Sequence, residues 1–471
     1  MIKNLIEVKK SLKEIKNGLR GVTERVALLL IIFGVWLFLD IFQNRLSSFY
    51  AVLSLLIIMT LYAIYMQIAY KYRKRKARKN PVSVNEEYKP FVSIMIPCHN
   101  EQNVIKNTVE NVLKLKYSNY EVIVIDDRSE DETAAVLIEL EKKYENVKVL
   151  IREKDAFPGK SVVLNEAMNY AKGDAILVFD ADAYVEDDFL CKIVPFLEPN
   201  DIGAVQARKV IINREENFLT RCQDNEYALD THFQVGRDAV KGAVELRGNG
   251  ELIKRKALED INGWNNFTIT DDLDMSTRLQ IKGWDIRFCS NICVYEEGIT
   301  TVKALYRQRR RWVEGSIRRY LENIRPILFS KDMSIRTGVD LIAYLTEVIM
   351  PFMAISEFLL QMGRSLLHYS NTFPASIILG GVICVFYMIG ITYSIRHYNN
   401  LSRIQTLKQG LQTSIYFIAV WFPLVLFIVF KIIFGKKTME WGKTAHGVDN
   451  KFVKDIKYNI NSKEVINFRE E

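Results

Sequence analysis

The amino-acid sequence predicts an α/β domain with a parallel sheet, inserted between transmembrane α-helices. Two observations predict this fold class. Apolar runs near both ends of the chain are long enough to cross a bilayer, which takes about 20 residues as a helix. Between them, at about residues 88–322, short β-branched runs alternate with helical stretches, as in a parallel α/β sheet. A mean hydropathy near zero over 471 residues agrees with a chain that has both parts.

The N-terminal part, residues 1–80, is predicted to hold an amphipathic segment and then two transmembrane helices, at 26–42 and 50–70. The basic run KYRKRKARKN at 71–80 directly follows the second helix. By the positive-inside rule, this run places the α/β domain in the cytoplasm. The position of the run explains its charge, so we expect no nucleic acid partner. The sequence therefore predicts a multi-pass protein of the cell (plasma) membrane.

The C-terminal part is predicted to return to the membrane. Residues 318–335 form a predicted amphipathic helix on the cytoplasmic membrane surface. Residues 336–435 are predicted to hold further transmembrane helices, at 339–362, 375–395 and 414–434, and residues 436–471 a basic and polar tail. Two spans followed by three would leave that tail outside, whereas its basic residues indicate the cytoplasm. We therefore expect one late segment to be re-entrant or interfacial.

The α/β domain opens with four predicted strands: FVSIMIP (91–97), YEVIVIDD (120–127), VKVLI (147–151) and AILVFDAD (175–182). In parallel sheets of this kind, ligands bind beyond the carboxyl ends of the strands. Polar side chains collect at those ends, namely His99, Asn100, Glu101, Asp126, Asp127, Asp180 and Asp182. Neither GxGxxG nor GxxxxGK[ST] occurs in the sequence, which removes support for a dinucleotide site or a P-loop.

The DAD triplet at 180–182 predicts a divalent-metal site. Asp180 and Asp182 can both reach one Mg²⁺ or Mn²⁺ ion, which would then bridge to substrate phosphates. An aspartate-rich surface turn is the alternative explanation, but the position directly after the apolar run AILVF favours the metal. Lys160, in the glycine turn of FPGKSVVLNEA, is a candidate phosphate contact or a solvated lysine.

The segment TITDDLDMSTRLQIKGW at 268–284 carries three acidic residues, Asp271, Asp272 and Asp274. Asp271 and Asp272 are at a predicted helix start, where Thr270 or Asp271 would cap and the helix dipole favours negative charge. Capping does not explain a third carboxylate. A general base that deprotonates a hydroxyl would fit here.

The segment YRQRRRWVEG at 306–315 crowds four arginines around one tryptophan. On a helix, Gln308, Arg311 and Trp312 fall on one face, while Arg309 and Arg310 point elsewhere. We expect Arg309 and Arg310 to meet anionic lipid headgroups, at about 1 kcal/mol each.

Seven segments in order resemble the membrane-integrated family-2 glycosyltransferases with a GT-A domain: IPCHNE, VIDDRSEDET, GKSVVLNEA, FDADAYV, GNGELIKRKAL, TDDLDMSTRL and QRRRW. They span roughly residues 90–316, and QRRRW resembles the QxxRW signature of processive β-glycan synthases. VQARKVIINREENFLTRCQ at 205–223 is similar to glucan and mannan synthases. EEGITTVKALYRQRRRWVEGSIRRYL is similar to bacterial enzymes that put β-glucose on diacylglycerol. Two departures are TDD in place of TED, which keeps the base position, and His99 in place of an aromatic residue.

The resemblance implies inverting transfer from a nucleotide sugar, with UDP-glucose as the first candidate. Asp272 would be the catalytic base, and Asp180 and Asp182 would hold Mg²⁺ or Mn²⁺. Trp312 and Asp271 would contact the acceptor. The nucleotide sugar would be bound by Asn100, Glu101, Asp126, Asp127, Lys160, Asp180, Gln308 and Arg311. We expect Arg311 to pair with the diphosphate through its planar guanidinium.

The sequence leaves the product open. Our main expectation is a synthase that elongates a β-linked polysaccharide and translocates it through its own helices. The alternative is a UDP-glucose:diacylglycerol β-glucosyltransferase, and a second alternative is a synthase that uses UDP-N-acetylglucosamine. The expected partners are accordingly the nucleotide sugar, a growing β-glycan or diacylglycerol, and membrane lipid, with homo-oligomerisation left open. A non-catalytic scaffold would require the ordered carboxylates to be accidental.

Overall fold

The computed structural model describes residues 48–79, 85, 87–367, 373–399 and 401–435. The predicted transmembrane helix at 26–42 and the predicted tail at 436–471 lie outside the described residues.

The described residues form one eight-stranded sheet with the order β3-β2-β1-β4-β7-β6-β8-β5. The first four predicted strands are confirmed, and they pair in parallel. β7 is antiparallel to both of its neighbours, so the sheet is mixed, whereas the sequence predicts a parallel one. The strands are β1 (Val92–Cys98), β2 (Tyr120–Asp126), β3 (Val147–Ile151), β4 (Ala175–Val178), β5 (Tyr184–Val185), β6 (Ile202–Ile211), β7 (Glu251–Lys254) and β8 (Asp285–Glu296).

Helices cover both faces of the sheet, which explains why β1 is buried over its whole length. Its alternating side chains point to opposite faces. Ile94 and Ile96 pack in one core with Ile105, while Met95 packs in the other with Val163. These helices are α2 (Ile105–Val112), α3 (Thr133–Lys143), α4 (Lys160–Ala167), α5 (Phe189–Ile193), α6 (Phe218–Val240), α7 (Arg255–Asp260) and α8 (Asp271–Ile281), after an N-terminal α1 (Ser48–Lys79).

The predicted transmembrane helices from residue 50 onward are helical in the structure. They lie within α1 and within α10 (Ile335–Leu366), α11 (Phe373–Tyr398) and α12 (Arg403–Phe434). Among the described helices, α12 alone is long and apolar enough to cross a membrane by length and composition. α1 packs on α6, where Met66 is buried against Gly236 and any Cβ at position 236 would press on it.

The predicted interfacial helix at 318–335 is not a separate element. Residues up to Phe329 continue one long helix, α9 (Val302–Phe329). Arg318 and Arg319 are buried and form ion pairs with Glu314 and Glu245, so neither cation faces a membrane surface. The sequence shows that this segment carries positive charge. It does not show that Glu245, which pairs with Arg319, approaches from a distant part of the chain. These two arginines therefore belong to the interior of the protein.

Candidate active site

A cavity of about 420 Å³ lies at the carboxyl ends of β1, β4 and β8, and side chains of α6, α9 and α12 close its other side. It brings together most of the residues singled out in the sequence, although they come from segments far apart in the chain. The predicted site residues on its wall are Glu101, Lys160, Asp180, Asp182, Asp271, Asp272, Gln308, Arg311 and Trp312.

Three predicted nucleotide contacts, Asn100, Asp126 and Asp127, are not on the cavity wall. Asp126 is buried and accepts hydrogen bonds from the main-chain N–H and the hydroxyl of Ser129. Burial raises the pKa of Asp126, although those hydrogen bonds oppose the shift. The Oδ1 of Asn100 accepts the main-chain N–H of Glu130 at 2.6 Å. In the structure, Asn100 and Asp126 therefore hold loops at the strand ends.

Asp127 has a supporting position as well. Its carboxylate has no exposed surface, and it forms ion pairs with Arg128 and Arg152. It also accepts the main-chain N–H of Gly159 at 3.3 Å, directly before Lys160. Asp127 thus connects the end of β2 to the turn that presents Lys160 to the cavity.

Lys160 and the DAD aspartates form the charged end of the cavity. The Nζ atom of Lys160 lies 2.6 Å from Oδ1 of Asp180 and 2.9 Å from the carbonyl oxygen of Gly248. Burial lowers the pKa of Lys160, but Asp180 and then Asp271 raise it, and the net shift is upward. Lys160 therefore presents a positive charge to this end of the cavity. Asp182 accepts the main-chain N–H of Glu297 at 3.0 Å, which connects this end of the cavity to β8.

Asp180 and Asp182 are suited to bind a divalent metal ion whose remaining ligands come from substrate phosphates and water. Among the described residues there is no group of three or more His, Cys, Asp and Glu side chains that could hold a metal ion alone. Mg²⁺ typically binds through one or two carboxylates together with substrate phosphates and water. Two carboxylates beside one cavity match that donor set.

The start of α8 carries the candidate base. Burial and the neighbouring charge of Asp271 raise the pKa of Asp272 to about 6, while the main-chain N–H of Leu273 opposes this shift. Neither capping candidate caps the helix: Thr270 is the N-cap residue, but its side chain makes no cap hydrogen bond. Within the described part of the chain, Thr270 Oγ1 and Asp271 Oδ2 are buried without a hydrogen-bond partner. Simple capping therefore does not account for these acids.

Two glycines allow other segments to approach this base. Gly248 has a φ of +77°, and a Cβ there would lie 3.3 Å from Oδ2 of Asp272. Any side chain at Gly315 would collide with Thr270, so α9 can pack this closely against the start of α8 only with a glycine. The QRRRW helix and the TDD segment are thereby held together.

The helical face predicted for QRRRW is confirmed, because Gln308, Arg311 and Trp312 all border the cavity. The prediction for Arg309 is wrong. Its side chain has no exposed surface, and its Nη2 atom lies 2.9 Å from Oε2 of Glu226. The Cζ atom of its guanidinium lies 4.0 Å from the centre of the Trp312 ring. Arg310 is exposed and lies 5.2 Å from the ring of Phe427. The sequence shows the charge of Arg309 but not its buried acidic partner.

Sequence reasoning missed several residues on the cavity wall. Lys209 and Glu296 face each other there because β6 pairs with β8. Glu226 and Tyr227 come from α6, and Trp421 comes from α12. Two of these lie in segments noted above only for their similarity, VQARKVIIN and EEGITT. The pairing of distant strands carries the missing information, and no local pattern shows it.

Comparison with known proteins agrees with this geometry. A family model described as "Glycosyltransferase like family 2" matches residues 90–315. The chain is 38% identical over 365 residues to a β-monoglucosyldiacylglycerol synthase of Nostoc sp. (strain PCC 7120), covering 76% of each chain. It is 27% identical over 283 residues to a poly-β-1,6-N-acetyl-D-glucosamine synthase of Staphylococcus epidermidis, covering 59% of this chain and 68% of that one.

Among solved structures, the fold matches a mannosyltransferase from Pyrobaculum calidifontis in complex with GDP-Man and Mn²⁺. The TM-score is 0.55 at 19% identity, and the match covers 78% of this chain and 99% of that one. This likeness concerns the fold alone. The similarity to the Nostoc protein extends over most of both chains, well beyond the region that carries the motifs. The chain is therefore a glycosyltransferase that belongs to family 2 and has the α/β GT-A fold.

Proposed function

We propose that this enzyme transfers glucose from UDP-glucose to diacylglycerol and forms a β-glucosyl lipid. The observation that carries the proposal is a single cavity that joins a cluster of carboxylates to the apolar side chains of α12. A polar acceptor hydroxyl and an apolar lipid body require those two surroundings side by side. The similarity to the Nostoc β-monoglucosyldiacylglycerol synthase supports the same acceptor class. Among our expectations from the sequence, it favours the lipid alternative over the polysaccharide.

The acceptor end of the proposed site is built from α12. Phe417, Trp421, Phe422 and Val425 border the cavity from this helix. On other faces of α12, large apolar side chains are exposed, and Ile415 is 57% accessible. A helix with apolar side chains both at the cavity and on its outer surface suits a lipid acceptor that enters from the bilayer.

We place the enzyme in the cell membrane with its catalytic domain, about residues 88–322, in the cytoplasm. The length and composition of α12 support one membrane-crossing helix. The basic run at 71–80 supports a cytoplasmic position for the domain that follows. We further propose that the chain crosses the membrane several times, with the other crossing helices in residues 1–80 and 336–435.

In the proposed reaction, Asp272 accepts the proton of the acceptor hydroxyl as that oxygen attacks the anomeric carbon. A base of raised pKa, held in a buried site, is suited to this step. Lys160 and Arg311 hold the diphosphate leaving group by charge-assisted hydrogen bonds. A divalent ion on Asp180 and Asp182 would neutralise charge on the departing diphosphate.

The acceptor proposal is tested with purified full-length protein and radiolabelled UDP-glucose in the presence of Mn²⁺ and lipid vesicles. We expect label in a chloroform-soluble product whose amount depends on added diacylglycerol. A high-mass product sensitive to β-glucanase would instead establish the polysaccharide synthase.

The polysaccharide remains the second candidate because the chain is also similar to a polysaccharide synthase. The similarity to the Staphylococcus epidermidis poly-β-1,6-N-acetyl-D-glucosamine synthase is lower in identity and covers less of the chain than the similarity to the lipid enzyme. UDP-N-acetylglucosamine is therefore the competing donor to include in the assay.

A further inference from the structure

A buried ion pair on the cavity wall has no part in the mechanism above. The Nζ atom of Lys209, on β6, lies 2.9 Å from Oε2 of Glu296, the last residue of β8. Both side chains border the cavity, yet each is only 11% exposed. The pair thus lies at the cavity but is largely shielded from bulk water.

The surroundings hold both charges in place. Glu296 accepts hydrogen bonds from the Tyr227 hydroxyl at 2.5 Å and from Nδ2 of Asn249 at 3.1 Å. The ammonium of Lys209 lies 5.1 Å from the Tyr227 ring and 5.8 Å from the Trp312 ring, within the range of cation–π attraction. These contacts come from two helices and the loop before β7, so the pair is pre-positioned.

Hydrogen bonds connect the pair to both ends of the proposed reaction. Asn249, which donates to Glu296, accepts the main-chain N–H of Asp180 at 3.2 Å through its Oδ1. Lys209 donates to the carbonyl oxygen of Arg247 at 3.4 Å, directly before Gly248, which approaches Asp272. Burial lowers the pKa of Lys209, and Glu296, then Asp180 and also Asp272, raise it, with a net upward shift. Asp180 is at the diphosphate end, and Asp272 is the proposed base. The transferred sugar must lie between these ends, because its anomeric carbon is bonded to the leaving oxygen and attacked by the acceptor oxygen.

We infer that Lys209 and Glu296 bind hydroxyl groups of the transferred sugar and thereby contribute to the choice of donor sugar. The inference rests on the proposed function, because it places the donor along the line from Asp180 to Asp272. An ammonium donates hydrogen bonds and a carboxylate accepts them, so the pair offers neighbouring sugar hydroxyls one donor and one acceptor. Charge-assisted hydrogen bonds in a shielded site are the strong ones.

The alternative is that this ion pair only joins β6 to β8. The two roles differ in one measurable respect, because UDP contains the diphosphate of the donor but lacks the sugar. A sugar-binding pair affects the affinity for UDP-glucose and leaves the affinity for UDP unchanged. A purely structural pair affects both ligands equally or neither.

The test is calorimetric titration of UDP and UDP-glucose into the detergent-solubilised full chain, as wild type, Lys209→Met and Glu296→Gln. We expect UDP-glucose affinity to fall roughly tenfold or more in each variant, as for a lost charge-assisted hydrogen bond, with UDP affinity kept within about twofold. Lys192→Met is the matched control, because it breaks a surface ion pair with Glu186 outside the cavity and should leave both affinities unchanged. Glu296→Gln keeps the side-chain shape and serves if Lys209→Met does not fold.

A series of UDP-deoxyglucoses provides a second measurement. One deoxy analogue should bind wild type more weakly than UDP-glucose does, and Lys209→Met should show little further loss for that analogue. Equal losses of UDP and UDP-glucose affinity, or no loss of either, would overturn the inference alone. Wild-type protein that binds UDP but not UDP-glucose would overturn the proposed donor and the inference with it.

Discussion

Arg309 and Arg311 lie two residues apart in QRRRW, but the structure predicts different consequences for their replacement by alanine. Loss of Arg309 should lower stability, whereas loss of Arg311 should impair UDP binding and transfer. Arg309 is fully buried against Glu226, so Arg309→Ala removes one partner of a buried ion pair. Such a loss typically costs about 3–5 kcal/mol, because the remaining charge is left buried and unpaired. Glu226 keeps a hydrogen bond from the Tyr416 hydroxyl at 2.8 Å, which favours the lower end of that range.

The contact between Arg309 and Trp312 adds a second loss. A guanidinium 4.0 Å from the indole ring contributes roughly 1–2 kcal/mol when it is desolvated. We therefore expect Arg309→Ala to be about 3–5 kcal/mol less stable than wild type in the free energy of unfolding. Arg311→Ala should cost less than about 1 kcal/mol, because Arg311 is partly exposed on the cavity wall. It should nevertheless weaken UDP binding and cripple transfer.

The assay is thermal unfolding of both variants in detergent, followed by tryptophan fluorescence, together with titration of UDP. A double-mutant cycle of Arg309→Met and Glu226→Gln should show that the double variant is more stable than the summed single losses imply, by about 1 kcal/mol or more. Wild-type stability of Arg309→Ala combined with its release from membranes would refute this account and restore a lipid-headgroup role.

Three further predictions concern the chemistry. Asp272→Asn should lower transfer at least about 10²-fold while UDP-glucose binding survives, and near-wild-type turnover would remove the base assignment. Because the carboxylate must be ionised to act, kcat/KM should fall as the pH drops through about 6, the value to which burial and Asp271 raise the pKa of Asp272. Asp271→Asn removes one like charge and should move that acid limb to lower pH, whereas an unmoved limb would assign it to another group. EDTA should silence the enzyme and Mn²⁺ should restore it, and full activity in chelator would exclude a metal at Asp180 and Asp182.

Local patterns in the sequence predict those parts of the molecule that local physics determines. The first four strands follow from β-branched runs, and the cavity-facing side of QRRRW follows from helical spacing. Polar residues at strand ends converge because parallel strands end at the same edge of the sheet. Asp180 borders the cavity, as its position at the carboxyl end of β4 predicts.

The features that the sequence does not predict depend on partners from distant segments. Asp126 and Asp127 sit at strand ends, but they are buried among loop donors and arginines, so a place at the edge does not ensure contact with the cavity. Arg309 resembles its neighbours in the sequence and differs only through Glu226. The antiparallel β7 and the pairing of Lys209 with Glu296 likewise arise from long-range pairing of strands, which hydrophobic periodicity does not encode.

We propose β-glucosyl transfer to diacylglycerol with Asp272 as the base. The most direct test of this proposal is to incubate the purified enzyme with UDP-glucose and Mn²⁺ in lipid nanodiscs, with and without diacylglycerol, and to identify the product by mass spectrometry and proton NMR. We predict a monohexosyl diacylglycerol with a β-anomeric proton, formed only when diacylglycerol is present and absent with Asp272→Asn. An α-linked lipid, or a chain of several hexoses formed without diacylglycerol, would contradict the account.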